Sequence, residues 1–86
     1  MQKLPDHPAH RVDSREALVS HIRSLRDDLL TRGDQWENPT LERYLEALAA
    51  WMEGTPDWYR GFGQEMPADG DWKLFARALS AAVVYE

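Results

Sequence analysis

Three stretches of the chain place apolar side chains at the three- and four-residue spacings of an amphipathic helix. These side chains are Leu18, Ile22, Leu25 and Leu29 in the first stretch, Leu41, Leu45, Leu48 and Met52 in the second, and Trp72, Phe75, Ala76, Leu79, Ala82 and Val83 in the third. No stretch shows the alternation typical of a β-strand. Because such a stripe must be buried against another element, the sequence predicts an all-α fold in which the helices pack together.

Capping and helix-breaking residues set the expected limits of the three long helices at about 14–32, 39–53 and 72–84. Asp71 is the expected cap of the last helix. A short extra helical turn is predicted near 56–61. Antiparallel packing of the long helices predicts a compact three-helix bundle, and the aromatic side chains of the extra turn are expected to close one end.

Two helix starts have alternative caps. Asp13 and Ser14 both qualify at the first helix, and Gly33 is expected to end that helix in a left-handed conformation. Asn38 is expected to cap the second helix, with Thr40 as the alternative.

Residues 1–12 contain Pro5 and Pro8 and only two sizeable aliphatic side chains. We therefore expect a mobile N-terminal tail over 1–12, followed by a single helical domain over 13–86. A chain of 86 residues has room for one small core and little room for a deep substrate cavity.

The charge of the chain is uneven. The formal net charge is −5, and residues 1–35 carry equal numbers of basic and acidic side chains, so the acidic excess lies in residues 36–86. Repulsion from phosphates argues against nucleic-acid binding, whereas an acidic surface suits a basic protein partner. The chain has no cysteine, no apolar run long enough to span a membrane and no apolar leader. We expect a cytoplasmic protein that does not bind membranes.

No residue pattern predicts a catalytic, cofactor-binding or metal-binding site. His7 and His10 lack a third ligand at zinc-type spacing. The serines, Ser80 among them, have no glycine elbow around them and fit helix caps or helix surfaces. Gly61-Phe62-Gly63 lacks the lysine and the preceding strand of a phosphate-binding loop.

Four tryptophans are unusual in so short a chain. Trp51 and Trp72 lie on helical stripes and are expected in the core. Trp36 and the Trp58-Tyr59 pair lie in connectors, where aromatic side chains either seal the edge of a core or anchor a partner protein. We favour sealing and keep both interpretations.

The motif WEN-x-TL at Trp36, the segment LEALAAW ending at Trp51, then Trp72 and a closing Tyr85-Glu86 follow each other along the chain. In this order the chain, from about Val12 onward, resembles a family of small bacterial proteins classed only as a domain of unknown function. The resemblance implies a small stand-alone protein and brings no established activity, cofactor or catalytic residue.

The leading functional hypothesis is a non-enzymatic protein-interaction domain, immunity-like or adaptor-like, that binds a basic protein. Its acidic, aromatic-bearing surface is expected to use Trp36, Glu37, Asn38, Trp58 and Tyr59. A homodimer through exposed aromatic side chains is a third hypothesis.

The alternative hypothesis is a small-ligand binder or minor enzyme that uses clustered carboxylates. It requires Glu37, Glu42 and Glu46 to converge on a cleft near Trp36 and Tyr44. Glu42 and Glu46 are four residues apart on one predicted helix, so they lie side by side, and such a pair is usually a solvated face.

Overall fold

A computed structural model describes residues 7–85, and the regular elements in that range are all helical. The helices are α1 (Arg15–Arg32), α2 (Leu41–Glu53), α3 (Thr55–Gly61) and α4 (Trp72–Ala81). Short 3₁₀ turns, Pro8–Arg11 and Gly33–Gln35, precede and follow α1. The predicted all-α fold is confirmed, and the predicted turn near 56–61 is α3. None of these helices is long and apolar enough to cross a membrane.

The helix ends show which capping residues the fold uses. Ser14, Thr40 and Asp71 cap α1, α2 and α4, and each accepts a hydrogen bond from the backbone N–H three residues further on. Asn38 does not cap α2. Gly33 has a φ of −60°, so it is not left-handed, and the chain continues from α1 into the second 3₁₀ turn.

Helix α4 lies at the centre of the domain. Leu74, Ala76, Arg77 and Ala78 are buried, as is Ala82 directly after the helix. With 3.6 residues per turn, these positions point in several directions, so α4 is covered on most of its circumference. Helices α1 and α2 and the first 3₁₀ turn all pack against it. The fold is therefore a central helix with flanking elements and differs from the predicted three-helix bundle around one shared core.

The buried side chains form two clusters. One cluster joins α4 to α2 and α3, through Trp51, Tyr59, Leu74 and Ala78. The other joins α4 to the segment before α1, through Ala9, Val12 and Ala76. Trp51 is thus in the core, as predicted.

The first half of the predicted tail, residues 1–6, lies outside the described residues. In the second half, Pro8–Arg11 forms a 3₁₀ turn, and Ala9 and Val12 are buried against Ala76. Burial of these small apolar side chains holds the segment on α4. Residues 7–12 therefore belong to the packed domain, and a mobile tail stays a prediction for residues 1–6.

Much of the predicted apolar stripe on α1 and α2 is not covered. Its exposed members include Ile22, Leu29, Leu41 and Leu45. Each of the two helices packs on α4 along one flank, so the rest of its stripe faces solvent. Trp72 and Phe75 on α4 are also exposed, which corrects the prediction that they lie in the core.

Asn38 joins the α1–α2 connector to the chain end after α4. Its backbone N–H donates to the Val83 carbonyl over 3.0 Å. Its side-chain amide donates to the Ala82 and Tyr85 carbonyls over 3.0 and 2.7 Å. Because Asn38 is buried, these bonds are largely shielded from water.

We expect Asn38→Ala to lower the free energy of unfolding by about 2 kcal/mol, because two carbonyls lose their donor. The exposed neighbour Glu37 supplies the control, since Glu37→Ala removes only a 3.9 Å ion pair with Arg43. That change is expected to cost less than about 0.5 kcal/mol. Urea denaturation measures both values, and an equal loss in the two variants would show that Asn38 does not secure the chain end.

Candidate functional site

The five residues singled out from the sequence lie in two separate places. Trp36, Glu37 and Asn38 belong to the connector between α1 and α2, whereas Trp58 and Tyr59 belong to α3. Trp36 and Asn38 line a groove between α1 and α2, and Trp58 lines a different pocket beside α4. The structure does not combine the five residues into one surface.

Two of these residues serve the fold, and a third seals the core. Tyr59 is 2% exposed, and its hydroxyl accepts a hydrogen bond from Arg77 Nη1 over 2.6 Å. Asn38 is held by the chain end, so neither residue presents its side chain to a partner. Trp58 is half-buried against Trp51, with ring centroids 5.7 Å apart, and covers the edge of the core.

Trp36 closes one end of the groove. Its indole Nε1–H donates to Asp28 Oδ2 over 2.7 Å, and its ring stacks on Tyr44 with centroids 6.1 Å apart. The hydrogen bond from Trp36, with further bonds from Arg32, holds the pKa of Asp28 below its ordinary value. Trp36 thus links α1 to α2 and stays partly open to solvent, while Glu37 beside it is exposed.

The groove between α1 and α2 is apolar and has a volume of about 340 Å³. Its walls are formed by Ile22, Leu25 and Leu29 on α1 and by Leu41 and Tyr44 on α2. Leu79 of α4 lies at its base, where the Tyr44 hydroxyl donates to the Leu79 carbonyl over 2.7 Å. Burial raises the pKa of the Tyr44 phenol, which keeps it a hydrogen-bond donor.

Charged side chains lie near the groove on both helices, and Arg26 is the charged residue of the described range that lines it. Beside its exposed leucines, α2 has Glu42, Glu46 and Glu53, whose spacings of four and seven residues place them on one face. All three are exposed, and we call them the acidic strip. On the α1 side, Arg26 lines the groove and forms an exposed ion pair with Asp27 at 3.1 Å.

The carboxylates of the alternative hypothesis do not converge with the aromatic side chains. Glu42 and Glu46 line a shallow depression, whereas Trp36 and Tyr44 line the groove, and Glu37 lines neither. Within the part of the chain that the structure describes, no group of three or more acidic or histidine side chains is placed to hold a metal ion.

The pocket beside α4 brings together polar side chains that sequence reasoning left apart. His7, His10, Arg77 and Ser80 line it, together with two tryptophans, around a volume of about 290 Å³. His7 and His10 lie in the stretch predicted to be a mobile tail, and Arg77 is not among the residues singled out from the sequence. A signal for Arg77 was present, because it is the one charged residue in the apolar sequence 74–85.

His21 of α1 meets Ser80 at the margin of this pocket. The atoms His21 Nε2 and Ser80 Oγ are 2.7 Å apart and share a hydrogen bond, so Ser80 is not plain helix surface. Burial lowers the pKa of His21, charge on His7 lowers it further, and a bond with the Ala76 backbone opposes the shift. The partners of this ring within residues 7–85 are a hydroxyl and a backbone group, so the pair lacks the carboxylate of a catalytic triad.

We expect His21 to make the fold less stable below about pH 6.5. Because its folded-state pKa is lowered, the unfolded chain binds the proton first, and stability present at higher pH is lost as pH falls through the folded-state pKa. Urea unfolding at about pH 7.5 and about pH 5 measures the free energy of unfolding at each pH. The decrease in this free energy from the higher to the lower pH should be smaller for His21→Gln than for the native chain. His7 and Asp28, the titratable groups nearby, are unchanged in both proteins. An equal decrease in the free energy of unfolding in the two proteins would show that His21 is not the source of the pH dependence.

Comparison with known proteins identifies a family and no activity. No curated protein and no solved structure matches the chain. The family of unknown function DUF7660 matches residues 14–86, a range that includes α1, the connector, α2, α3 and α4. This match confirms the resemblance to a family of unknown function, and the chain is a member of DUF7660.

Proposed function

We propose that this chain is a protein-interaction domain that binds an amphipathic helix of a partner protein in the groove between α1 and α2. The observation that carries the proposal is that both helices expose large apolar side chains along the same groove. Leu41, for example, is 73% exposed. Contiguous apolar surface of this kind on a folded domain is typical of an interaction site, because its removal from water is favourable.

The shape of the groove suits a helix. Both α1 and α2 lie on α4, so a further helix placed between them contacts both walls and approaches Leu79 at the base. In this mode of recognition, apolar side chains at positions i, i+3 or i+4, and i+7 of the guest helix enter the groove. Trp36 at the end of the groove supplies an aromatic side chain of the type that dominates binding energy at interfaces.

The charge on the outer face of α2 suggests the chemistry of the partner, because Arg26, the charged residue that lines the groove, is already paired with Asp27. The acidic strip lies outside the groove, about 100° around α2 from the exposed leucines, and residues 36–86 carry the whole acidic excess of the chain. A guest helix with lysine or arginine next to its apolar stripe is complementary to this arrangement, and the same attraction speeds association. The occupant we assign is therefore a basic amphipathic helix.

The basic protein partner expected from the sequence is kept in this proposal. The surface that binds it is now the groove between α1 and α2 and no longer the five residues selected from the sequence. Of the residues first selected, Trp36 stays at the end of the groove, and Glu37 is exposed beside it without lining the groove. Asn38 and Tyr59 are replaced by the leucines of α1 and α2, which were expected to be core. An adaptor-like or immunity-like role is compatible with this site, and the carboxylate-based enzyme is not supported, because its residues lie apart.

We expect a synthetic helix with leucines at i, i+3, i+4 and i+7 and lysines elsewhere to shift the Trp36 indole N–H resonance. A matched peptide with glutamate in place of lysine is expected to bind at least about 10-fold more weakly, because the acidic strip repels it. Leu41→Ser should lower the affinity for the lysine peptide by about 10-fold or more, because it removes an apolar contact.

Leu30→Ser is the matched control, because Leu30 is 76% exposed on α1 and does not line the groove. An equal effect of the two serine substitutions, or equal binding of the two peptides, would contradict the proposal. Sedimentation equilibrium tests whether a second copy of the chain, and not a partner helix, occupies the groove. A stable dimer that dissociates in Leu41→Ser would assign the groove to a second copy of the chain and overturn the basic-helix partner.

A further inference from the structure

We propose that the pocket beside α4 binds a small organic anion, a carboxylate that carries an apolar or aromatic group. The pocket is separate from the groove, so the proposal does not depend on the proposed function. The first 3₁₀ turn, α2, α3 and α4 all contribute to its lining. Its volume of about 290 Å³ is near the lower end of the range for small-molecule sites.

The pocket contains a buried cation, Arg77, that pairs with no acidic side chain of the described residues. Arg77 is 7% exposed, and no carboxylate in residues 7–85 forms an ion pair with it. Its Nε donates to His10 Nδ1 over 2.8 Å, and its Nη1 donates to the Tyr59 hydroxyl over 2.6 Å. The rings of Trp58 and Tyr59 lie 5.6 and 5.4 Å from the guanidinium carbon. These groups help to hold the cation but bring no negative charge to it.

The unused donors of Arg77 favour an anionic ligand. A guanidinium has five N–H donors, and Nη2 donates no hydrogen bond to the described residues. Arg77 itself lines the pocket, so an anion there can accept from this group. A carboxylate in that position supplies both the missing negative charge and a charge-assisted hydrogen bond.

The rest of the lining determines the kind of anion. Trp51, Trp58, Ala81 and Val84 give the pocket apolar walls, and the Ser80 hydroxyl lies one turn from Arg77 on the same helix. An apolar or aromatic group on the ligand would remove these apolar walls from water, whereas inorganic phosphate would leave them in contact with it. A singly charged carboxylate also meets less repulsion from a chain of net charge −5 than a doubly charged phosphate does.

Benzoate and benzamide are matched probes, because they have the same shape and differ in charge. Titrated into the full chain and followed by the indole N–H resonance of Trp58, benzoate is expected to bind at least about 10-fold more tightly than benzamide. Inorganic phosphate is the third probe and should bind more weakly than benzoate. Tighter binding of phosphate would overturn the carboxylate assignment, and equal binding of benzoate and benzamide would overturn the anion site.

Two substitutions at Val84 test the pocket without removing Arg77 from the fold. Val84 lines the pocket and is 62% exposed, so a longer polar side chain is tolerated there. Val84→Glu brings a competing carboxylate to the pocket and is expected to lower the affinity for benzoate by about 10-fold or more. Val84→Gln has the same size and should change the affinity by less than about 3-fold. Equal benzoate affinities in the two variants, or no benzoate binding to the native chain, would overturn the proposal.

Discussion

Close packing around α4 is the constraint on which the rest of the structure depends. Ala76, Ala78 and Ala82 are buried, so neighbouring backbones approach α4 from several sides. Larger side chains at these positions would overpack the interface, which costs about 1–3 kcal/mol in a typical core. Because α1 and α2 both rest on this one helix, each buries a single flank, and their remaining apolar side chains form the groove. The groove is thus a consequence of how the core is built.

Alanine side chains are too small to interlock with a neighbouring element, so they do not fix its position along α4. Polar contacts define that position instead. Every surrounding helix and the connector contributes one: Tyr44 to the Leu79 carbonyl, Asn38 to the Ala82 carbonyl, His21 to Ser80, and Tyr59 to Arg77. A half-buried or buried polar group that loses its partner costs about 1–3 kcal/mol, so a shift of one residue along α4 is unfavourable. The apolar contacts provide the attraction, and these four contacts specify the register.

Local rules predicted the helices and several of their caps, because periodicity and capping depend on neighbouring residues. They favoured Asn38 over Thr40 as the cap of α2, which is wrong, because the side chain of Asn38 bonds to carbonyls 44 and 47 positions away. They also placed Trp51 and Trp72 on equivalent stripes, although only Trp51 has a neighbouring helix over it. The groove was missed for the same reason: an apolar stripe shows which face of a helix avoids water, but not how much of that face another element covers.

The two candidate sites use opposite faces of α4. Leu79 lies at the base of the groove, and Arg77, two residues earlier, lines the pocket. Two residues turn a helix by about 200°, so one helix separates the two sites completely. An anion in the pocket would stabilise the fold by mass action, by pairing with a guanidinium that no carboxylate in residues 7–85 pairs with. A helix in the groove would instead cover apolar surface that α4 leaves open. Because the register contacts hold α4 in place between them, neither occupant needs the other to form its site.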